Sequence, residues 1–130
     1  MSDLNDCQPN EDPVELFDMY VAHVGINATD PADAESIVDD FGRLMSLPKQ
    51  EQPPSFFAGS LVEVMKQNGR GDKGHIGFHV NDIEAACAWF EDHGYEVNWD
   101  SRANYPDGSC RLVYFKEQIG GFAIHLTADK

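Results

Sequence analysis

An internal repeat is the feature that most constrains the fold of this 130-residue chain. The stretch AHVGINATD (residues 22–30) returns as GHIGFHVND (residues 74–82), with the leading histidine, the glycine two places on and the closing aspartate in the same positions. At a constant offset of 52, six of the twenty residue pairs between 23–42 and 75–94 are identical, where ordinary composition gives about one. The identical pairs are His23/His75, Gly25/Gly77, Asp30/Asp82, Ala34/Ala86, Asp40/Asp92 and Gly42/Gly94. We interpret the chain as a tandem duplication.

Each copy of the repeat begins with a predicted strand and continues as a predicted helix. Around residues 21–28, Val24 and Ile26 alternate with His23, which is the two-residue period of a strand with two different faces. Thr29 or Asp30 can cap the helix that follows, and the same pattern recurs after residues 75–80. The buried stripe of the first helix is predicted to be Ala34, Ile37, Val38, Phe41 and Leu44, and that of the second Ile83, Ala86, Cys87, Trp89 and Phe90.

Shorter strands complete each copy. Residues 47–54 are rich in structure breakers and are predicted to be a connection, and the glycine-rich residues 68–74 a linker. The remaining strands are predicted at residues 55–59 and 60–67 in the first copy, and at 95–101, 110–117 and 121–128 in the second. We therefore expect an α+β fold in which tandem β-α-β-β-β modules form a curved mixed sheet with a helix on the outer face of each module.

Domain organisation follows from the same patterns. Residues 1–13 are acidic and poor in large apolar groups, and are predicted to form a loose tail. Residues 14–130 are predicted to be a single domain, with module one at about 21–67 and module two at about 74–128.

The formal net charge of −14 disfavours binding to phosphate backbones and to anionic lipid, so nucleic acid and membranes are not expected as partners. The simplest interpretation of so many acidic residues is a solvated surface. Three cysteines, Cys7, Cys87 and Cys110, form no metal-type spacing, and an odd number argues against a disulfide framework. Without a signal-like start or a long apolar run, we expect a cytoplasmic protein.

Four residues are candidate metal ligands. The two leading histidines, His23 and His75, are expected to face one another across the axis that relates the modules. The last strand of each module supplies a further polar residue among aliphatic neighbours, Glu63 in SLVEVM and His125 in GFAIHL. Three imidazoles and one carboxylate suit zinc, nickel, cobalt, iron or manganese. A single strand-borne histidine is more often satisfied by backbone or water, so the arrangement of the four carries the hypothesis.

Other polar residues have two open interpretations. His79 shares a face with His75 and either supports it by a hydrogen bond or is exposed to water, and His93 is placed outside the site. Cys87 and Cys110 are interpreted as packing residues. Six basic residues either hold an anionic substrate or carry ordinary surface charge. They are Lys66, Arg70, Lys73, Arg102, Arg111 and Lys116, of which Arg102 and Lys116 join His79 as candidate substrate-binding residues.

Over residues 21–128 the sequence resembles the vicinal-oxygen-chelate superfamily, which includes glyoxalase I, extradiol dioxygenases, methylmalonyl-CoA epimerase and bleomycin-resistance proteins. In bacterial glyoxalase I the metal ligands are a histidine in the first strand, a glutamate in the fourth, a histidine in the GHIA-like fifth and a glutamate in the last. These positions match His23 in AHVGI, Glu63 in LVEVM and His75 in GHIGF. The fourth is His125 in FAIHL, which departs from the glyoxalase pattern.

A closer resemblance includes this terminal histidine. HVGINATD, FAGSLVEVMK, KGHIGFHVNDIEAA and FKEQIGGFAIHL are similar to the small glyoxalase-like domain associated with the aldolase for 2-keto-3-deoxy-6-phosphogluconate and 4-hydroxy-2-oxoglutarate. This resemblance implies a small 2-oxo acid or keto-deoxy sugar acid as substrate. It also implies an aldolase as a partner, although the chain has no room for an aldolase barrel of its own.

The resemblance implies a metal-dependent lyase or isomerase that binds one divalent transition metal and chelates two adjacent substrate oxygens. Glu63, the only carboxylate of the four candidates, is the expected catalytic base. The superfamily pairs its modules edge to edge, so we expect a homodimer. Two alternatives remain: a non-catalytic small-molecule binding or resistance-type protein, and an accessory domain of the aldolase.

Overall fold

The structure, a computed structural model, describes residues 12–128. Most of the predicted acidic tail, including Cys7, lies outside these residues. The described chain begins with a short helix that sequence analysis did not predict, α1 (Pro13–Leu16), which is capped by Asp12. The Asp12 carboxylate accepts a hydrogen bond of 3.0 Å from the N–H of Val14.

Two longer helices and eight strands follow α1. In chain order they are β1 (Tyr20–Asn27), α2 (Pro31–Met45), β2 (Lys49–Glu51), β3 (Ser55–Ala58), β4 (Val62–Met65), β5 (Gly74–His79), α3 (Ile83–Asp92), β6 (Val97–Asn104), β7 (Cys110–Ile119) and β8 (Phe122–Thr127). Each module therefore contributes one long helix and four strands, as the repeat predicts.

The eight strands form one mixed sheet in the order β2-β3-β4-β1-β5-β8-β7-β6. β1 and β5 are antiparallel neighbours at the centre, and each pairs in parallel with the last strand of its own module, β4 or β8. Each half of this order belongs to one module, and each strand lies as far from the centre of the sheet as its equivalent in the other module. The predicted α+β fold of tandem β-α-β-β-β modules in a curved mixed sheet is confirmed.

The repeated aspartates cap the two long helices. Asp30 and Asp82 each have extended backbone and accept a hydrogen bond from the N–H three residues on, at 2.8 Å from Asp33 and 3.0 Å from Ala85. One of the residue identities that defines the repeat is therefore explained by helix capping. Of the two candidates for the first cap, Thr29 and Asp30, the structure selects Asp30.

The helices pack on one face of the sheet and bury two apolar clusters. One cluster joins α2 to β3 and β4 through Ala34, Val38, Phe56, Ala58 and Val64, with Ala28 at the end of β1. The other joins α3 to the second module through Val80, Ile83, Ala86, Cys87, Val97, Cys110, Val113 and Leu126, together with Phe17. Both described cysteines are free and buried, as predicted. The opposite face of the central strands is left for polar side chains.

Besides α1, the structure differs from the sequence prediction in three places. Leu44, predicted to be buried, is 76% exposed, because the last turn of α2 extends beyond the apolar cluster and carries both Leu44 and Met45 into solvent. The predicted connection at 47–54 contains β2, an exposed edge strand that pairs with β3 between flanking prolines. β6 runs three residues further than the predicted 101, through register shifts against β7. No helix within residues 12–128 is long and apolar enough to span a membrane.

Candidate metal centre

Strand register brings the four predicted ligands to the middle of the sheet. In the first module Gly25 lies opposite Glu63 on β4, and in the second Gly77 lies opposite His125 on β8. Because Gly25 and Gly77 are equivalent in the repeat, Glu63 and His125 occupy equivalent positions too. The antiparallel pairing of β1 with β5 then sets His23 opposite Gly77 and His75 opposite Gly25.

The ring nitrogens of the three histidines converge, and the Glu63 carboxylate lies beside two of them. His23 Nε2 lies 3.2 Å from His75 Nε2 and 3.3 Å from His125 Nε2. The three histidines offer ring nitrogens that all lie within 4.8 Å of one another. Glu63 Oε1 is 3.2 Å from His75 Nε2 and 3.9 Å from His23 Nε2. Such a cluster presents several lone pairs to one point, which is the arrangement that a cation requires.

Ser55 on β3 holds the outer oxygen of the carboxylate. Its Oγ–H donates to Glu63 Oε2 at 2.7 Å, which leaves Oε1 directed at the histidines. Ser55 is fully buried, although sequence analysis assigned it no function. Along β3, Phe56 points to the face covered by the helix and Phe57 points to the face that carries the site. The sequence shows this alternation, but it does not show which of the two faces carries the site.

Burial governs the protonation of the cluster. Burial would by itself raise the pKa of the Glu63 carboxyl. The pKa is nevertheless lowered below its ordinary value, because the carboxylate accepts hydrogen bonds from His75 and Ser55 and is stabilised by the charges of His75 and His23. Desolvation and then the neighbouring His23 lower the pKa of His125 to about 4. At neutral pH the site therefore holds a carboxylate and, at His125, a neutral imidazole whose lone pair is available to a metal.

The repeated glycines make room for the histidines. A Cβ at Gly25 would overlap the His75 ring, and a Cβ at Gly77 would lie 2.6 Å from His125 Cε1 and 2.8 Å from His23 Cε1. Neither glycine has a positive φ, so close side-chain approach is what excludes a larger residue here. The His-x-Gly pattern is thus a paired feature, because the glycine of each module accommodates the histidine of the other.

A cavity of about 940 Å³ opens over the cluster. Its wall includes Tyr114 on β7, whose ring lies 4.8 Å from that of His125, and Arg70, whose guanidinium carbon lies 4.6 Å from the centre of the Tyr114 ring. Arg111 lines the same cavity. Tyr114 was missed in the sequence, because alternation along residues 110–117 does not reveal which face meets His125.

The other predicted candidates lie elsewhere. The His79 ring stacks on Tyr20 at 4.5 Å, and its buried Nδ1 has no hydrogen-bond partner within residues 12–128. Arg102 pairs with Glu84 and Lys116 with Glu96, and neither lines the cavity, because these acidic neighbours hold both cations at the surface. His93 stacks on Trp89 at 3.8 Å, outside the cluster as predicted.

Comparison with solved structures shows which proteins share this fold. A hypothetical protein from Bacillus halodurans C-125 aligns with a TM-score of 0.60 at 15% identity, over 86% of this chain and 95% of that one. Methylmalonyl-CoA epimerase from Streptomyces coelicolor, in complex with 2-nitronate-propionyl-CoA, gives 0.59 at 16% identity over 85% and 94%. The epimerase from Mycobacterium tuberculosis gives 0.56 at 14% identity over 85% and 87%.

The chain has the fold of the vicinal-oxygen-chelate proteins, to which these epimerases belong. At these levels of identity the likeness defines the fold, and the chemistry must come from the site itself. No protein-family model matches the sequence, and no curated protein matches it. The resemblance to the aldolase-associated domain has no support among these structures and rests on sequence motifs alone.

Proposed function

We propose that the protein is a metal-dependent enzyme of the vicinal-oxygen-chelate type, in which His23, Glu63, His75 and His125 bind one divalent transition metal. Zinc, nickel, cobalt, iron and manganese all suit three imidazoles and a carboxylate. The proposed reaction is of the lyase or isomerase type, and the proposed substrate is a small 2-oxo acid or keto-deoxy sugar acid.

The convergence of the three histidines, with Glu63 beside His75 and His23, is the observation that carries this proposal. Ligands held about 2.0 to 2.1 Å from one tetrahedral zinc lie about 3.3 Å from each other. The spacings of 3.2 Å and 3.3 Å from His23 Nε2 to its two histidine neighbours, and of 3.2 Å from His75 Nε2 to Glu63 Oε1, agree with that value. The spacing of 3.9 Å from His23 Nε2 to Glu63 Oε1 is longer than that value. Three ring nitrogens meeting at one point cannot all be satisfied by hydrogen bonds to one another, since a neutral imidazole has one donor and one acceptor.

A divalent ion bound there would act as a Lewis acid toward two neighbouring substrate oxygens and stabilise the negative charge that develops as a proton leaves carbon. Glu63 is the only carboxylate of the set and is the proposed base, acting as a ligand that is displaced from the ion when it takes the proton. Ser55 fixes one of its oxygens and leaves the other directed at the histidines. One carboxylate and three neutral imidazoles leave a net charge of +1 on a divalent site, which favours anionic ligands.

An isomerase-type reaction has additional support from the structural comparison. Two of the similar structures are methylmalonyl-CoA epimerases, whose names denote inversion at a carbon centre. Removal and return of a proton at a carbon beside a carbonyl needs a positioned base and a means of stabilising the resulting anion. Glu63 and the proposed ion have those two roles here.

Metal analysis of the purified protein and three variants tests the proposal. We expect about one divalent ion per chain in wild type after dialysis, and a sharp loss in His75→Ala, which removes one ligand and leaves Glu63 beside a weakened site. His125→Glu should retain the ion because it keeps four ligands. His93→Ala is the matched control, since His93 contacts Trp89 rather than the cluster.

Circular dichroism should show that all four proteins remain folded. Equal metal content in wild type and His75→Ala, or a loss in His93→Ala alone, would contradict the proposed ligand set. A folded wild-type protein that retains no ion but still binds small molecules would support the non-catalytic alternative.

A further inference from the structure

The distribution of arginines in this acidic chain is uneven. The sequence holds four arginines, and two of them pair with carboxylates, Arg43 with Asp40 and Arg102 with Glu84. Arg70 and Arg111 form no salt bridge with any residue between 12 and 128, although acidic residues outnumber basic ones by 23 to 9. Both unpaired arginines line the cavity over the candidate metal centre.

The backbone around Arg70 is held in place from both sides by one side chain. Asn27 Nδ2 donates to the carbonyl of Gly71 at 2.8 Å, and Asn27 Oδ1 accepts from the N–H of Gly69 at 3.0 Å. Gly71 has a φ of +84°, and a Cβ there would lie 2.7 Å from the amide nitrogen of Ala123. The linker is therefore fixed against the end of β1 rather than free to place Arg70 in many positions.

The side chain of Arg70 has a defined partner as well. Its guanidinium carbon lies 4.6 Å from the centre of the Tyr114 ring, and that ring lies 4.8 Å from the ring of His125, a proposed ligand. A guanidinium over an aromatic ring keeps its N–H groups free at its edge, where they can bind a carboxylate or phosphate in a bidentate manner. One aromatic ring thus separates a fixed cation from the candidate metal centre.

We propose that Arg70 binds a second anionic group of the substrate, a carboxylate or a phosphate, while the other end of the substrate chelates the metal. Arg111 adds a second positive charge to the same cavity. With a net charge of −14 the molecule as a whole repels anions, so a doubly anionic ligand needs local cations to enter. The chelating end rests on the proposed function, whereas the Arg70 subsite does not need a metal to bind an anion.

Matched ligand pairs test the subsite. Calorimetric titration of metal-loaded wild type should show that 2-oxoglutarate binds about tenfold more tightly than 2-oxopentanoate, because only the former has a distal carboxylate to form a charge-assisted hydrogen bond. A second pair, 2-keto-3-deoxy-6-phosphogluconate and its unphosphorylated form, asks whether the group is a phosphate. The pair with the larger preference identifies the anion.

Arg70→Gln should reduce that preference to less than twofold, because it removes the cation that meets the distal anion. Arg102→Gln is the matched control and should keep the full preference, since Arg102 pairs with Glu84 outside the cavity. A preference below twofold in wild type for both pairs, or an undiminished preference in Arg70→Gln, would overturn the proposal.

A metal-independent measurement separates this inference from the chelation proposal. In a nitrogen–proton NMR spectrum of metal-free protein, sulfate should shift the Nε–Hε signal that disappears in Arg70→Gln, and should leave the signal assigned to Arg102 in place. No saturable shift at Arg70 would overturn the anion subsite. A shift at Arg70 in a protein that binds none of the four 2-oxo acids when metal-loaded would support the subsite and contradict chelation.

Discussion

Gly25 and Gly77 connect the repeat to the chemistry at the residue scale. Gly25 leaves space for the ring of His75, and Gly77 leaves space for the rings of His23 and His125. The positions of these rings therefore depend on the absence of a Cβ at the two glycines. This explains why each leading histidine is followed two places later by a glycine. Overlap at either glycine can be relieved only by moving a proposed ligand or the central strands.

Gly25→Ala should therefore displace the His75 ring and weaken metal binding by at least about tenfold, with an overpacking cost of roughly 1 to 3 kcal/mol in stability. Competition with a metal-sensitive dye and urea unfolding measure the two effects. The control is Gly42→Ala in α2, where a Cβ would meet its nearest atom at an ordinary 3.6 Å. Unchanged metal affinity in Gly25→Ala would show that the close approach is unimportant.

The lowered pKa of His125 predicts how stability of the metal-free protein depends on pH. Its pKa is about 4 in the folded state, mainly through burial, and about 6.5 in the unfolded chain. Between these values the unfolded state binds more protons, so stability is complete above about pH 6.5 and is lost as the pH falls toward 4. Urea unfolding at pH 7 and pH 5 should differ by about 2 kcal/mol from this group alone.

His125→Gln removes that titration and should reduce the difference between the two pH values by a similar amount. The comparison uses metal-free protein because a bound ion would compete with protons for the same nitrogen. Identical pH dependence in wild type and His125→Gln would contradict the lowered pKa.

Two helices of unequal length distinguish the modules at the element scale. α2 has 15 residues and α3 has 10, although both begin at the same position of the repeat. An apolar cavity of about 390 Å³ lies beside the end of α3, lined in part by Phe90, Tyr95 and Phe115, and it contains none of the four candidate ligands. The two modules therefore differ in the length of the helix that packs on the sheet, and a cavity lies beside the shorter helix.

The paired caps give a prediction for these helices. Asp30→Ala and Asp82→Ala should each lower the free energy of unfolding by about 1 kcal/mol, because each removes an acceptor for an N–H of the first turn. Asp→Asn at either position should cost much less, since an amide oxygen can accept the same hydrogen bond. Urea unfolding measures all four variants, and equal losses for alanine and asparagine would indicate that charge, rather than capping, is responsible.

At the scale of the whole molecule, the eight-stranded sheet ends in two edge strands, β2 and β6, each of which pairs with one neighbouring strand among residues 12–128. Exposed edges invite pairing with another chain, and this supports the expectation of a homodimer with isologous symmetry. Light scattering at micromolar concentration should give twice the mass of the chain. A monomer under those conditions would contradict the prediction.

The sequence by itself determined the modular architecture, because helix and strand periods, helix caps and the repeat can be recognised in the sequence without knowing which residues are in contact. The offset of 52 related His23 to His75, and the position of Glu63 and His125 in the last strand of each module extended the set to four. The resemblance to the vicinal-oxygen-chelate superfamily pointed to the same four residues. The structure brings these residues together, and their role as metal ligands stays a prediction.

Only the tertiary structure decided the features that depend on which strands are neighbours. β1 pairs with β4 and with β5, and β5 pairs with β8, across about forty to fifty residues of chain, and these pairings bring Gly25 to Glu63 and His75 and bring Gly77 to His125. The pairing of β3 with β4 and of β7 with β8 then adds Ser55 and Tyr114 to the site. Period-two alternation identifies two faces of a strand but not which one is covered by a helix. The structure also distinguishes Arg70, which lies over Tyr114 in the cavity wall, from Arg102, which pairs with Glu84. The sequence could not separate the two, because these contacts join segments that are far apart along the chain.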